Sequence, residues 1–336
     1  MAARDRSGPD RRGLLGGMAA LGLVGMSDLP AQAATQDATP TEAEPIALLA
    51  NLFTRIGAAV MINGQGPYTF VIDTGAGVTS VADTVAAALS LPAREPLIVH
   101  GITAAARTES VGVDRLQLRG LSFHDLQCPV LPRDQLGADG LLGLDVLGRF
   151  RLGFDVIRRS ATLSRRGTRI LMGGANQIGS RLQGDRIRSV RGRFGQLILG
   201  QTLVDGVSAA AFVDSGAQYS IANEALRRAV QARSDSGSRF ARQIQLYGVT
   251  GQSLPARLAR VDDLRLGRSR LGATSLLFAD LHCFHTLELA DRPALLIGAD
   301  LLGRFSDVTI DFPNNAIAFE GLRRQTTRTL EEELGV

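Results

Sequence analysis

The sequence predicts an all-β protein of two pseudo-symmetric, closed β-barrel lobes, each with one or two short helices. Three observations carry that expectation. First, Phe70-Val71-Ile72-Asp73-Thr74-Gly75-Ala76 recurs 141 positions later as Ala211-Phe212-Val213-Asp214-Ser215-Gly216-Ala217. Second, the run Leu141–Phe150 returns 155 positions later as Leu296–Phe305, with seven of ten residues identical. Third, short apolar runs alternate with turn signals along the whole body of the chain. Between the two anchors, His100-Gly101-Ile102-Thr103 answers Tyr247-Gly248-Val249-Thr250 at an offset of 147, so the second copy is 14 residues longer. Chance does not preserve order, spacing and identity together.

The elements follow in chain order. Residues 1–33 read as an export signal: a charged start ending in Arg11-Arg12, a glycine-interrupted apolar run from Leu14 to Met26, and Ala31-Gln32-Ala33 at the cut. The arginine pair before a weakly apolar core resembles a twin-arginine signal; a Sec signal that happens to carry two arginines is the plainer alternative. The expected location is therefore exported, periplasmic or secreted, with no stable membrane insertion after cleavage. Residues 34–54, rich in Ala, Thr, Gln and Pro, predict a flexible lead-in. A first lobe is expected over 55–166, a basic linker over 167–193, a second lobe over 194–321 and a tail over 322–336.

Within the lobes, Gly57–Ile62 and Tyr68–Ile72 flank Asn63-Gly64-Gln65-Gly66, a hairpin signal. The second copy has Gln196–Leu199, a turn at Asp205-Gly206, and Ala210–Val213. Asp83–Leu89 and Asn223–Val230 predict short helices, each opening on a capping residue. Leu144–Phe150 and Ala299–Phe305 predict a further helical turn per copy, with Asp145 and Asp300 read as caps. Arg115–Leu118 and Arg265-Leu266 read as strands.

Composition narrows the chemistry. All 37 basic residues are arginine, against 33 acidic ones, so a Schiff-base lysine and a P-loop lysine are excluded. Tryptophan is absent and aromatics are 5%, which argues against base-stacking and a nucleic-acid partner. Four histidines and two cysteines exclude a cysteine-rich zinc module or a disulfide framework. Carboxylates, hydroxyls and arginine are left.

The repeated aspartates carry the expected chemistry. A lone aspartate at a strand end is ordinarily a turn residue or a cap. Two of them in register with a duplicated fold face each other across an approximate two-fold axis. Two close carboxylates cannot both ionise easily and so share a proton. One then takes a proton from water while the other gives one to a carbonyl oxygen. Glycine permits the tight approach, and the hydroxyls of Thr74 and Ser215 can bond across to the partner loop.

On these residues the sequence resembles a retropepsin-like aspartic protease with both lobes in one chain, as in the pepsins. Asp73-Thr74-Gly75-Ala76 and Asp214-Ser215-Gly216-Ala217 match the family's Asp-Thr/Ser-Gly signature, and Leu141-Leu142-Gly143 and Leu296-Ile297-Gly298 match its later apolar-apolar-Gly element. The likeness runs from about Gly57 to Glu320. It implies the acid-protease fold, Asp73 and Asp214 as the catalytic pair, and Thr74, Gly75, Ala76, Ser215, Gly216 and Ala217 as supporting loop. It also implies substrate-binding flaps at His100, Gly101, Ile102 and Thr103 and at Tyr247, Gly248, Val249 and Thr250. No cofactor and no metal are expected. The expected partner is a polypeptide in extended conformation, and the expected active species is a monomer. Alanine after both glycines, and a flap in both halves, depart from the pepsin pattern.

Other features have plainer readings. Cys128 and Cys283, 155 apart, are expected on equivalent buried strands as unpaired core thiols. His282 and His285 on such a strand point to opposite faces, which argues against a metal. Arg158–Arg193 holds ten arginines and one acid, Asp185, and reads as a solvated linker or edge, or as a patch that meets anionic lipid, cell-wall polymer or an acidic substrate. Tyr247 either bonds into the cleft or packs on its hairpin. The function expected is an exported aspartic endopeptidase; the alternatives are a non-catalytic peptide-binding module and an envelope-interaction protein.

Overall fold

The structure is a computed structural model that describes residues 56–165, 168–173, 185–233, 240–247 and 252–323. The export signal, the lead-in and all but the first two residues of the tail lie outside these.

The first lobe comprises β1 (Gly57–Ile62), β2 (Gln65–Ile72), β3 (Ser80–Ala82), α1 (Asp83–Ala88), β4 (Ala93–His100), β5 (Ala105–Leu118), β6 (Leu121–Leu131), α2 (Arg133–Leu136), β7 (Gly140–Leu142) and α3 (Leu144–Leu147). Its strands run β1-β2-β7-β3-β6-β5, and β1 pairs back onto β5, closing a barrel; β4 extends from β5 as a hairpin. Closure leaves no open edge in the ring. Alternation explains the inside: Ala58, Val60 and Ile62 are buried while Ala59 is exposed. Asn63 (φ 50°) and Gly64 (φ 84°) make the turn between β1 and β2, and Asp205 (φ 46°) with Gly206 (φ 75°) make its counterpart. Two central residues with positive φ match the twist of the flanking strands.

Next come β8 (Arg151–Asp155), β9 (Ser160–Arg165), β10 (Thr168–Gly173) and β11 (Asp185–Arg191). The second lobe follows with β12 (Leu197–Val204), β13 (Val207–Val213), β14 (Ile221–Ala222), α4 (Glu224–Gln231), β15 (Phe240–Tyr247), β16 (Ser253–Leu266), β17 (Ser269–Phe278), α5 (His282–Thr286), β18 (Ala294–Ile297), α6 (Ala299–Leu302), β19 (Asp307–Asp311) and β20 (Ala316–Glu320). Its ring, β12-β13-β18-β14-β17-β16 closed by β12 on β16, repeats the first. β15 extends from β16 as β4 does from β5, and the remaining strands form a sheet shared by both halves, in the order β10-β9-β8-β19-β20-β11.

That sheet corrects the expected linker. Residues 167–193 contribute β10 and β11, the latter paired with β20 and with β12. β11 alternates: Ile187 is buried, whereas Arg186 and Arg188 are exposed. Arg186 pairs with Asp311 at 2.7 Å, and Arg191 donates to the Phe312 carbonyl at 2.6 Å. Its arginines are the solvent face of a strand.

The helices need smaller corrections. Asn223 caps α4 as expected, accepting from the Leu226 amide at 2.9 Å. Asp83 is the first residue of α1 and not its cap; it accepts from the amides of Thr84 and Arg133. The later helical turns stop at Leu147 and Leu302, short of Phe150 and Phe305. Cys128 and Cys283 are not equivalent. Val81 pairs with Val130 and Ala222 with Phe278, an offset of 148, whereas Leu141 and Leu296 keep 155. The connection through α5 is therefore seven residues longer than the one through α2. Cys128 lies buried on β6, while Cys283 lies half-buried in α5. The alternation argument for His282 and His285 fails with it, since both sit on that helix.

Two glycines set the distance between layers. A Cβ on Gly143 would lie 2.3 Å from the Val78 carbonyl carbon, and one on Gly298 would lie 2.5 Å from the Tyr219 carbonyl oxygen. Gly298→Ala should therefore push the 217–219 backbone away and cost about 1–3 kcal/mol or more. Thermal denaturation of the variant checks this; an unchanged melting temperature would show the loop to be free to give.

Candidate active site

Strands β2 and β13 each run as buried apolar segments into an aspartate. The Asp73 amide donates to the Leu142 carbonyl at 3.1 Å and the Asp214 amide to the Ile297 carbonyl at 3.0 Å, so each aspartate extends a parallel strand pair. The chain then turns sharply. Asp73 Oδ1 accepts from the amides of Gly75 (2.8 Å) and Ala76 (3.1 Å); Asp214 Oδ1 accepts from those of Gly216 (2.9 Å) and Ala217 (3.1 Å). The two Oδ2 atoms are buried and lie outside this loop bonding.

The next residues join the lobes. The Thr74 amide donates to Ser215 Oγ at 3.1 Å, and the Ser215 amide donates to Thr74 Oγ1 at 3.0 Å. Each hydroxyl then donates to a carbonyl of the other lobe, Thr74 Oγ1 to Val213 and Ser215 Oγ to Ile72, both at 3.0 Å. Both side chains have donor and acceptor capacity in use. Four reciprocal bonds set the two aspartate loops side by side.

From below, each loop is held by the aspartate expected to cap the helical turn that follows. Asp145 accepts from the amide (3.0 Å) and the hydroxyl (2.7 Å) of Thr79, and Thr79 Oγ1 accepts from the Gly143 amide at 3.1 Å. Asp300 accepts from Ser220 Oγ at 2.6 Å, and that oxygen accepts from the Gly298 amide at 2.9 Å. The Leu144 and Ala299 amides donate to the carbonyls of Ala76 and Ala217. Asp145 and Asp300 are thus struts between the apolar-apolar-Gly element and the aspartate loop. The signal was present in the sequence, because Thr79 and Ser220 recur at the aspartates' own offset of 141. Gln196 was not legible: it reaches from the second lobe to donate to the Gly75 carbonyl at 3.1 Å.

Burial dominates the electrostatics. Asp73 and Asp214 are both 0% exposed. Burial pushes the Asp214 carboxyl up to about 7, against the pull of the Gly216 and Ala217 amides. Burial also raises Asp145, opposed by the bonds from Thr79. The Cys283 thiol is pushed up by burial and by the charge of Asp214.

The residues expected as the first flap form the turn between β4 and β5. The Gly101 amide donates to the Ala104 carbonyl at 2.9 Å, closing the turn between β4 and β5. Gly101 and Ile102 are buried, Thr103 is half-buried and His100 is exposed. In the second lobe Tyr247 ends β15, and Gly248, Val249 and Thr250 lie outside the described residues.

Comparison with known proteins places this geometry. Residues 58–149 match a family model described as "gag-polyprotein putative aspartyl protease", and residues 200–301 match one described as "Aspartyl protease". Among solved structures the chain is similar to a retropepsin-like aspartic protease from Rickettsia conorii, at 18% identity and a TM-score of 0.27, over 41% of this chain and 90% of that one. No curated protein matches. The chain is an aspartic-type peptidase with two aspartyl protease domains in tandem. Each half is thus similar to an aspartyl protease family of its own.

Burial of Asp214 has a measurable consequence. Its folded-state pKa lies above the unfolded value of 3.8, so its contribution to stability is full below about pH 4 and is lost as pH rises through about 7. Asp214→Asn removes that penalty. At about pH 8 the variant should be the more stable protein by up to about 4 kcal/mol, and the gap should close near pH 4. Denaturant melts at the two pH values check this; equal stabilities at the higher one would contradict it.

Proposed function

We propose that this chain is an exported aspartic endopeptidase, cleaving polypeptides bound in extended conformation, with Asp73 and Asp214 as its catalytic pair, acting as a monomer without a cofactor. The observation that carries this is the reciprocal bonding of Thr74 and Ser215, which sets two like aspartate loops against each other inside one chain.

The steps follow from the loop geometry. Each Oδ1 is fixed by two amides, so each Oδ2 is the atom available for proton transfer. With one proton on the pair, the ionised carboxylate takes a proton from water as the water oxygen attacks the scissile carbonyl carbon. The protonated partner gives its proton to the carbonyl oxygen. The resulting gem-diol collapses as the carbon–nitrogen bond breaks. The nitrogen receives a proton from the pair, and a diol hydroxyl returns one. Acid and amine leave, and one proton is again shared. The raised carboxyl of Asp214 keeps such a proton in place through mildly acidic pH.

Cleavage of a mixed peptide library, with and without a pepstatin-like inhibitor, tests this directly. Asp73→Asn and Asp214→Asn should each remove nearly all turnover, with the double variant little worse, because a pair missing one carboxylate cannot relay the proton. Loss of the shared proton sets a ceiling: kcat/KM should be gone by the time pH has risen past about 7. Activity per molecule should not change on dilution. Substantial turnover in Asp214→Asn would refute the two-lobe pair.

Export rests on residues 1–33 and on the twin-arginine pattern at Arg11-Arg12. Replacing both arginines with lysine should trap the precursor inside the cell, read by fractionation. Continued export would favour the Sec alternative.

A further inference from the structure

His100 and His282 take no part in the chemistry above, yet they meet across the cleft. His100 ends β4 at the foot of the first flap, and His282 opens α5, on the connection that is seven residues longer in the second lobe. His100 Nδ1 and His282 Nε2 are 3.0 Å apart. The ring centroids are 5.3 Å apart and the planes differ by 8°. That separation is the nitrogen–nitrogen distance plus a ring radius at each end. The rings therefore meet edge to edge in nearly one plane, through a hydrogen bond, and do not stack face to face. Phe194, from the turn before β12, packs on His100 at 5.7 Å.

Ile102 is 1% exposed, and Asp73 and Asp214 are wholly out of solvent. With no solvent exposure at either aspartate, a peptide reaches them only when the surrounding chain opens, and lifting of the β4–β5 turn is one such movement. The histidine pair is a direct tie between flap and second lobe that lifting has to break.

An N–H···N bond needs one bare nitrogen. A neutral pair provides it, and so does a pair carrying one extra proton. When both rings are imidazolium, both facing nitrogens carry hydrogen and both rings carry charge, so attraction becomes repulsion.

We propose that His100 and His282 form a proton-operated latch that holds the flap over the two aspartates at neutral pH and releases it when both imidazoles are protonated. The surroundings favour that sense. Burial first, then His100 and His285, hold His282 below the usual imidazole range. The other charged groups on the packed elements are Asp280 and Glu288 flanking α5, Arg193 beside Phe194, Arg94 and Glu95 at the far end of β4, and Arg107, Glu109, Asp114 and Arg115 on β5; Asp280, Glu288, Arg193 and Arg107 are exposed. The latch is thus made above the lower pKa of the pair and lost as pH falls through it. Its role in turnover rests on the reading of Asp73 and Asp214 as the catalytic pair; its existence does not.

Hydrogen exchange of the flap peptide spanning 97–105, corrected for intrinsic rates, tests the latch without using activity. In the full chain, protection should fall on the order of tenfold between about pH 7.5 and pH 5. His282→Ala and His100→Ala should each be poorly protected at both values, and the double variant no worse than either, because one bond is being removed. His282→Gln keeps a neutral bonding group and should stay protected at both. In His282→Ala the upper limb of kcat/KM should move to higher pH, towards that of the carboxylate pair alone. Wild-type protection that ignores pH, or wild-type protection in His282→Ala, would overturn the latch. Normal pH-dependent protection in a chain that cleaves no peptide would support the latch and overturn the catalytic reading instead.

Discussion

The structure depends on one exchange of hydrogen bonds, between Thr74 and Ser215. Each hydroxyl accepts from the other residue's amide and donates to a carbonyl of the other lobe. Both side chains are almost fully buried. An unmade bond there would cost the desolvation of the group, about 1–3 kcal/mol. The spacing between the lobes is therefore fixed where the aspartates need it fixed.

The rest of the fold transmits that constraint. Parallel pairing of β2 with β7 and of β13 with β18 delivers the aspartates to the ends of two closed barrels. Asp145 and Asp300 brace the loops through Thr79 and Ser220. Gly143 and Gly298 let those layers approach to a distance no side chain would allow. Further out, β8 of the first half pairs with β19 of the second, so the lobes share strands as well as a contact. A pair that must share a proton needs its two carboxylates held at constant separation, and each of these features resists a change in it.

Superimposed on the symmetry is a departure that matters for access. Only the second lobe carries the longer connection through α5, and that segment brings Cys283 towards Asp214 and His282 against the flap of the first lobe. The duplicated core holds the two aspartates, and the lengthened connection carries the contact with the first lobe.

How much of this was legible in the sequence follows from the range of each interaction. The two Asp-Thr/Ser-Gly-Ala segments, the apolar-apolar-Gly elements, the Asn63-Gly64 and Asp205-Gly206 turns and the Asn223 cap are local or repeated, and their residue types declare them. The fold class and the two aspartates followed from them. The arginine-rich segment misled because its charge outweighed its alternation: Ile187 between Arg186 and Arg188 is the mark of a strand with one wet face, but only pairing with β20 makes it one. Asp145 and Asp300 looked like caps because capping is local, whereas their partners Thr79 and Ser220 lie 66 and 80 residues away. His100 and His282 are 182 residues apart, one ending β4 and the other on a connection that is longer in the second lobe, so no repeat or period could join them. The sequence determined which groups the chain owns and that they come in pairs. Tertiary structure decided which of them touch, because contact between lobes is set by the closing of two barrels and not by any spacing along the chain.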